Sequence, residues 1–266
     1  MCSRTSSPYD ERVQPLLKVR VMPTLLYKDV GLVKGLAFDS RRRVGSVMQA
    51  VKVYNLRDVD ELVFLDISAT LDGRSPDFEL IDEIADECFM PLTVGGGVHT
   101  REDARRLFQV GADRVAINSA AVENPSLITE IADSFGSQAV VVSIDGRASD
   151  GSYVAFTHAG TRSTGITPAE LAVRAEQLGA GEILLTSVDR DGSMKGYDLE
   201  LLASVTAAVS IPVVASGGAG TYEHMADALL EGGASAVAAA AMFHFSQCTP
   251  REAKLHLQSR GIPVRL

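Results

Sequence analysis

Two glycine clusters are the residues of this sequence best suited to bind a ligand. Gly95, Gly96 and Gly97 end one apolar stretch, and Gly217 and Gly218 end another. Backbone N–H groups can approach an anion closely where no Cβ intervenes, and the N-terminus of a following helix adds positive potential. The sequence therefore predicts two phosphate-binding sites. Tight turns that hold no ligand are the alternative.

Two aspartates also stand where apolar stretches end. Asp145 comes directly after residues 138–144, which we expect to form a buried strand that stops at this carboxylate. Asp66 ends a second predicted strand, over residues 61–67. In such a position Asp145 can act as a general acid or base, and Asp66 can contact a substrate. The alternatives are that Asp145 caps a loop and that Asp66 hydrogen-bonds the neighbouring strand-end loops.

The elements that carry these residues form an internal repeat. Residues 91–122 have the pattern of a strand, a glycine turn, a helix, a strand and a small-residue turn, and residues 212–243 repeat it. Upstream, residues 61–70 match residues 182–191 at the same offset. Each half thus holds about four strand–helix units, and eight such units close into a barrel of ~250 residues. We predict an α/β fold, a (β/α)8 TIM barrel built from two repeated half-barrels, over residues 17–266.

Composition argues against several classes of protein. The chain of 266 residues has 25 Lys and Arg against 34 Asp and Glu, a net charge of −9 that disfavours a nucleic-acid binder. No apolar run reaches the ~18 residues of a membrane span. Residues 1–16 lack a hydrophobic core, so we expect a flexible N-terminal extension and no secretory signal. The three cysteines are far apart, which indicates a reducing, cytoplasmic setting. Neither they nor the histidines have metal-ligand spacing, and we expect no metal and no cofactor.

Several motifs together resemble one known family. The cyclase subunit of imidazole glycerol phosphate synthase has similar segments in the same order, namely LDISAT, TVGGGVH, AINSAAVENPSLI, FGSQAVVVSID, GAGEILLTSVDRDG, KGYD and ASGGAG. The resemblance runs from about Arg20 to Leu266. It implies a TIM barrel that forms a heterodimer with a glutamine amidotransferase (glutaminase) subunit. Ammonia released from glutamine would cross the barrel and react with a bis-phosphorylated aminoimidazole ribonucleotide, giving imidazole glycerol phosphate and an aminoimidazole carboxamide ribotide.

The resemblance also implies roles for single residues. Substrate phosphates would be bound by one group in each half, Gly97, Asn118 and Ser119 in the first and Asp191, Gly192, Gly218, Ala240 and Ala241 in the second. Ammonia would enter through a gate of charged residues at the barrel base, made of Arg20, Glu61, Arg114 and Glu182. Arg114 stands where the family commonly has lysine, so the sign of the charge is kept. Without the family, these four would be interpreted as ordinary surface or interface charges. Lys34 and Asp66 complete the predicted site.

One catalytic position departs from the family pattern. The cyclase uses two aspartates as acid and base, at the ends of the first and fifth strands. The fifth strand keeps Asp145, whereas Leu26 stands at the first position. Leucine cannot transfer a proton, and losing one member of such a pair removes roughly 10²–10⁴-fold of the rate. Asp29, three residues further on, is a poor replacement because of that offset. The sequence therefore predicts weakened cyclase chemistry beside intact phosphate sites.

A paralogous branch of the family shares a different stretch with this chain. The segment PTLLYKDVGLVK, with ECFMPL further on, is similar to a branch that serves surface-polysaccharide sugar biosynthesis. In that branch a cyclase-like subunit and its glutaminase supply ammonia for acetamidino sugars. This role, with a phosphorylated ligand bound, is our main functional prediction. The histidine-pathway cyclase is the alternative. A stand-alone phosphosugar isomerase is a third hypothesis, but those isomerases also need both aspartates, so Leu26 counts against it.

Overall fold

The computed structural model describes residues 18–29 and 31–266. The predicted extension over residues 1–16 lies outside them. The strands are, in chain order, β1 (Arg20–Lys28), β2 (Gly31–Leu36), β3 (Asp39–Gly45), β4 (Leu62–Asp66), β5 (Leu92–Gly95), β6 (Arg114–Ile117), β7 (Val140–Ser149), β8 (Ser152–Thr157), β9 (Arg162–Ser163), β10 (Glu182–Ser187), β11 (Val213–Ser216) and β12 (Ala236–Ala239). The α-helices are α1 (Val47–Asn55), α2 (Phe78–Glu87), α3 (Arg101–Gln109), α4 (Ser119–Glu123), α5 (Ser126–Phe135), α6 (Pro168–Gln177), α7 (Leu199–Thr206), α8 (Tyr222–Leu230), α9 (Ala241–Phe245) and α10 (Pro250–Ser259).

Eight of these strands close into a parallel barrel, in the order β1, β4, β5, β6, β7, β10, β11 and β12. The barrel closes because β12 pairs with β1 in parallel, with Arg20 opposite Ala236. Helices connect the strands and cover the outside, so each strand is buried on both faces. Such strands are expected to be rich in β-branched apolar residues, as in Val140–Ser149. The predicted (β/α)8 TIM barrel is confirmed.

The apolar core has two parts, one outside and one inside the barrel wall. Outside the wall, the apolar faces of the helices pack on the strands, and side chains such as Leu107, Ile131 and Leu257 are fully buried there. A smaller cluster fills the barrel interior and is made of Met22, Val63, Ala116, Val141, Leu184, Val214, Ala236 and Ala238. We call this cluster the apolar layer. Within the described residues, no helix combines the length and apolarity that crossing a bilayer requires.

Two predictions for the barrel mouth are wrong, one for a loop and one for the end of a strand. The polar composition of residues 38–45 predicts a loop, but Asp39–Gly45 is a strand that pairs antiparallel with β2. The strand predicted to stop at Asp145 continues to Ser149 and forms a hairpin with β8, in which Asp145 lies opposite Phe156. Antiparallel pairing satisfies the backbone groups of both polar stretches. Both hairpins extend beyond the end of the barrel.

Candidate active site

The carboxyl ends of the barrel strands surround one cavity, which we call the mouth cavity. Every residue predicted to hold phosphate lines it, namely Gly97, Asn118, Ser119, Asp191, Gly192, Gly218, Ala240 and Ala241. Leu26, Asp66 and Asp145 line it too. Lys34 is not among the lining residues, although its neighbours Val33 and Gly35 are. The structure therefore brings together all of the predicted mouth residues except Lys34.

The two glycine turns have a similar geometry in the two halves of the barrel, with positive φ at both glycines of each turn. Gly96 has a φ of 103° and Gly217 a φ of 83°, in the left-handed region that favours glycine. A Cβ on Gly96 would lie less than 3.0 Å from the carbonyl oxygen of Asp66, and a Cβ on Gly217 less than 3.0 Å from that of Ser187. Asp66 and Ser187 are themselves equivalent in the repeat. Both turns line the mouth cavity, and glycine is required there for conformation and for space.

The turns after β6 and β12 form the other side of each predicted phosphate site. Asn118 directly precedes the short helix α4, and Ala240 directly precedes the short helix α9. Ser119 also anchors the hairpin that follows β7, because its Oγ accepts a hydrogen bond from the backbone N–H of His158 at 3.0 Å. The two turns thus share a backbone plan, but the turn after β6 carries the polar side chains of Asn118 and Ser119 and the turn after β12 carries alanines.

Asp145 is a buried carboxylate of the cavity, with 8% of its surface exposed, as Asp66 is with 6%. Its Oδ2 accepts a hydrogen bond from Nδ2 of Asn118 at 3.1 Å. Burial and then the charge of Asp191 raise the pKa of Asp145 to about 7, although the bond from Asn118 and the charge of Arg147 lower it. A carboxyl group that titrates near neutral pH can both accept and release a proton, as a general acid or base requires.

Leu26 faces the same cavity from β1, where it lies opposite Leu65 of β4. Asp29 does not replace it, because it lies in the turn after β1 with a φ of 57° and is not among the residues that line the cavity. The lining carboxylates, within the part of the chain that the structure describes, are Asp66, Asp145 and Asp191. The end of β1 therefore offers the cavity an aliphatic side chain.

Asp66 holds a loop of the cavity wall in place. Its Oδ1 accepts hydrogen bonds from the backbone N–H groups of Ser68 and Ala69, both at 3.0 Å, and from the Ser68 hydroxyl at 2.8 Å. Arg74 contacts its Oδ2 at 3.3 Å. Both carboxylate oxygens of Asp66 thus bind the loop that follows β4. This geometry fits the alternative in which Asp66 organises strand-end loops.

Four charged side chains meet at the opposite end of the barrel. Nη1 of Arg20 lies 2.7 Å from Oε2 of Glu61, and Nη1 of Arg114 lies 3.5 Å from the same oxygen. Both arginines also form ion pairs with Glu182. The glutamate side chains are only 2% and 4% exposed, whereas the arginines are 24% and 27% exposed. The four predicted gate residues therefore form a closed set of ion pairs, which we call the gate ring.

Arg20 of the gate ring keeps its charge despite its burial. Burial alone would lower the pKa of Arg20, but hydrogen bonds and charges from Glu182 and Glu61 raise it above its usual value. Thr93 supports the ring from β5, because its hydroxyl donates a hydrogen bond to Oε1 of Glu61 at 2.6 Å. The ring is thus a charged layer at the start of the strands, with the apolar layer directly above it.

Sequence analysis missed four hydroxyl side chains that line the floor of the mouth cavity. They come from four different barrel strands and are Thr24, Ser143, Thr186 and Ser216. Each lies two residues after a member of the apolar layer, so their inward orientation follows from the period of two in a strand. That alternation was the available signal. These four residues form what we call the hydroxyl layer.

A hairpin made of β2 and β3 covers one side of the cavity. The backbone N–H of Ala37, at its tip, donates a hydrogen bond to the carbonyl oxygen of Asp191 at 2.9 Å. Phe38 packs beside Gly160, where a Cβ would lie less than 3.0 Å from its ring. The tip therefore contacts two other loops of the mouth, one after β10 and one after β8.

Known proteins with similar sequences identify the family. A family described as "Histidine biosynthesis protein" matches residues 20–249 of the chain. The chain is 49% identical over 251 residues to "Imidazole glycerol phosphate synthase subunit HisF" of Chlorobium luteolum, which covers 94% of this chain and 100% of that protein. Proteins of the same name from Pelodictyon phaeoclathratiforme and Chlorobium phaeovibrioides are 49% and 48% identical, with the same coverage of both chains. This chain belongs to the histidine biosynthesis protein family.

The part of the chain that matches the histidine biosynthesis family holds both ends of the site. It begins at Arg20, the first residue of β1 and a member of the gate ring. It ends at residue 249, beyond Ala241, the last residue predicted to bind phosphate. The similarity to the cyclase subunit of imidazole glycerol phosphate synthase is thus confirmed at the level of the family, across the gate ring, the barrel interior and the mouth cavity.

Proposed function

We propose that this chain is the cyclase-type subunit of an imidazole glycerol phosphate synthase complex. It takes ammonia from a glutaminase subunit at the barrel base and binds a bis-phosphorylated ligand in the mouth cavity. The observation that carries the proposal is the arrangement along one axis of the gate ring, the apolar layer and a cavity with two equivalent glycine turns. Each of these three parts supports a different step.

The mouth cavity supports a ligand with an anionic group at each end. The two halves of the barrel offer glycine turns of similar geometry, at Gly96 and Gly217, on the same side of the fold. A single phosphate would use one turn, whereas a ligand with two phosphates uses both. Backbone N–H groups at such turns bind phosphate without a dedicated lysine.

The barrel interior supports passage of neutral ammonia. The charged gate ring provides a polar entrance at the base, where a glutaminase subunit would dock. Above it, the apolar layer contains no charged side chain. Moving an ion into such surroundings costs many kcal/mol, so the layer favours NH₃ over NH₄⁺.

The names of the relatives favour the histidine-pathway reaction. All three are called imidazole glycerol phosphate synthase subunits. The surface-polysaccharide role that we predicted from PTLLYKDVGLVK finds no support among them, so the histidine-pathway alternative becomes the leading hypothesis. In this hypothesis Asp145, with its pKa of about 7, moves the protons of ring closure at neutral pH.

One observation favours a second candidate function. Leu26 stands where the predicted second acid would be, and the end of β1 offers no other carboxylate to the cavity. A barrel with a single acid can still bind the phosphorylated ligand and conduct ammonia. The second candidate is therefore an ammonia-supplying subunit that closes the imidazole ring slowly or not at all.

Reconstitution with a glutaminase subunit tests the proposal. The complex is supplied with ¹⁵N-amide glutamine and the bis-phosphorylated aminoimidazole ribonucleotide, and the appearance of ¹⁵N in imidazole glycerol phosphate is followed. Turnover supports the cyclase function. Ligand binding and stimulated glutamine hydrolysis without turnover support the second candidate. If the chain neither binds the ribonucleotide nor stimulates a glutaminase, both candidate functions are refuted.

A further inference from the structure

Thr24 has a role that neither the sequence motifs nor the relatives assign. We infer that its hydroxyl holds the incoming ammonia molecule at the floor of the mouth cavity and orients it toward the ligand. The inference rests on the proposed function, because it concerns the nucleophile of that reaction. Thr24 would be a positioning residue for ammonia, distinct from the acid and base.

The position of Thr24 on β1 is the first support. The side chains that β1 directs into the barrel alternate along the strand, and they run from the base to the mouth as Arg20, Met22, Thr24 and Leu26. At a rise of about 3.3 Å per residue, Thr24 lies about 13 Å along the strand from Arg20 and about 7 Å before Leu26. It is therefore the first polar group of β1 above the apolar layer.

The second support is the state of its hydroxyl. Thr24 is 5% exposed, and it lines the mouth cavity. Its Oγ1 is the buried side-chain polar atom that has no hydrogen-bond partner in the protein, among the residues that the structure describes. Buried hydroxyl groups are normally paired, and an unpaired one destabilises the fold. A hydroxyl that faces a cavity in this state is suited to a small polar ligand.

The third support is the rigidity of this part of β1. The carbonyl oxygen of Thr24 lies 3.1 Å from Nε2 of His244, whose Nδ1 lies 3.3 Å from the hydroxyl of Tyr54. These contacts join β1 to α9 and α1, so the backbone of Thr24 is held from outside the barrel. A group with a fixed backbone can orient a ligand as small as ammonia.

The chemistry of ammonia decides how the contact is made. Ammonia has three N–H donors and one lone pair, and the lone pair must stay free for attack on the ligand. Threonine Oγ1 can accept an N–H bond and leave the lone pair unused. Ser143, Thr186 and Ser216, from the same layer, supply further oxygen acceptors around the point where ammonia leaves the apolar layer. The lone pair can then be directed toward the mouth.

Steady-state kinetics with ammonium salts, on the barrel without glutaminase, test the inference. Thr24→Val keeps the shape of the side chain and removes the hydroxyl, Thr24→Ser keeps the hydroxyl, and Thr129→Val serves as the matched control. Thr129 donates its hydroxyl hydrogen bond to the carbonyl of Leu178, on the outside of the barrel. We expect Thr24→Val to raise the KM for ammonium about 3- to 10-fold, the worth of one hydrogen bond, with little change in kcat at saturating ammonium. Thr24→Ser and Thr129→Val should behave like the wild type.

An unchanged KM for ammonium in Thr24→Val would overturn the inference, and so would an equal rise in Thr129→Val. If the wild type gives no turnover with ammonium, the proposed cyclase function fails, and a crystal structure in ammonium chloride then tests Thr24 separately. In that structure we expect a solvent-sized density peak within about 3 Å of Oγ1 in the wild type and in Thr24→Ser, and none in Thr24→Val. A wild-type structure without such a peak would refute the role of Thr24.

Discussion

Asn118 donates a hydrogen bond to Asp145, with 3.1 Å between Nδ2 and Oδ2. The same amide nitrogen donates to the carbonyl oxygen of Ser143 at 3.0 Å. The asparagine follows β6 and the aspartate is part of β7, so the bond joins a predicted phosphate turn to the predicted acid. The proposed ligand binding at Asn118 and the proposed proton transfer at Asp145 would therefore be physically connected.

The raised pKa of Asp145 predicts how stability depends on pH. Because the folded-state pKa of about 7 exceeds the usual value of 3.8, the fold favours the protonated form. The contribution of Asp145 to the free energy of unfolding is fully present below pH 3.8 and is lost as the pH rises through about 7. Relative to the wild type, Asp145→Asn should gain roughly 3 kcal/mol in the free energy of unfolding between pH 4.5 and pH 8, as measured by urea denaturation. Asp150→Asn, in the exposed turn between β7 and β8, should follow the wild type at both pH values. A gain that is the same at both pH values would contradict the prediction.

Restoring an acid at the end of β1 should restore ring closure. Leu26→Asp places a carboxylate in the mouth cavity, and a second acid contributes roughly 10²–10⁴-fold in such reactions. We expect formation of imidazole glycerol phosphate to become at least ~10-fold faster with ammonium as the nitrogen source. Leu65→Asp is the matched control, because Leu65 lies opposite Leu26 and lines the same cavity. A wild type that is as fast as Leu26→Asp would show that one acid is sufficient.

Neutralising one glutamate of the gate ring should uncouple the two subunits. Glu182 pairs with both Arg20 and Arg114, so Glu182→Gln leaves two guanidinium groups with only Glu61. We expect the ratio of nitrogen transferred to glutamine hydrolysed to fall several-fold, while turnover with ammonium changes little. Glu102→Gln, which removes the exposed ion pair with Arg105, should leave the ratio unchanged. An unaltered ratio of nitrogen transferred to glutamine hydrolysed in the Glu182 variant would contradict a role of this ring as an ammonia gate.

A methyl group on a glycine turn should weaken ligand binding. Gly96→Ala forces a Cβ against the carbonyl oxygen of Asp66 at a φ of 103°, and backbone strain of this kind costs about 1–3 kcal/mol. We expect a lower free energy of unfolding and a dissociation constant for the bis-phosphorylated ribonucleotide that is at least ~10-fold higher, measured by calorimetry. Gly73 has a positive φ of 65°, but no atom lies within 4 Å of a Cβ placed there. Gly73→Ala is therefore the control that introduces backbone strain without a steric clash. Equal binding by both variants would contradict a role for the Gly96 turn.

The buried Lys254 should be one of the largest contributors to stability outside the barrel. Its Nζ lies 2.8 Å from Oδ1 of Asp60, and both side chains are almost fully buried. Lys254→Met leaves an unpaired buried carboxylate, which costs about 3–5 kcal/mol in the free energy of unfolding. On the same helix, Arg251→Met removes an exposed contact to Asp58 and should change stability by less than ~1 kcal/mol. Similar losses in the free energy of unfolding in both variants would show that the buried Lys254–Asp60 pair stabilises the fold no more than the exposed contact does.

The fold was accessible from the sequence because its signals are local and repeated. Local composition predicts the glycine turns at Gly96 and Gly217 and the apolar strands before them. The internal repeat gives the same prediction twice, once in each half of the chain. The predicted phosphate residues could be located for the same reason, since each stands where a strand ends.

Features that depend on distant partners were not accessible in this way. Arg20 and Glu182 are 162 residues apart in the sequence, and only the closure of the barrel makes them an ion pair, so without the family their charges looked ordinary. The strand over Asp39–Gly45 was missed because its polar residues match a loop, and its pairing with β2 stabilises it instead. Thr24 was missed because the alternation along β1 predicts its inward direction only when a neighbour such as Met22 is known to face the barrel interior.

The contacts of Asp60 tie the first strand of the barrel to the last helix of the chain. Its Oδ2 accepts the backbone N–H of Val21, next to Arg20, at 2.9 Å, while its Oδ1 binds Lys254 of the last helix. Asp60 therefore joins β1, which carries Arg20 of the gate ring, to α10, and its buried charge is paired with that of Lys254. During synthesis, this contact at the base of the barrel can form only after the final helix has left the ribosome.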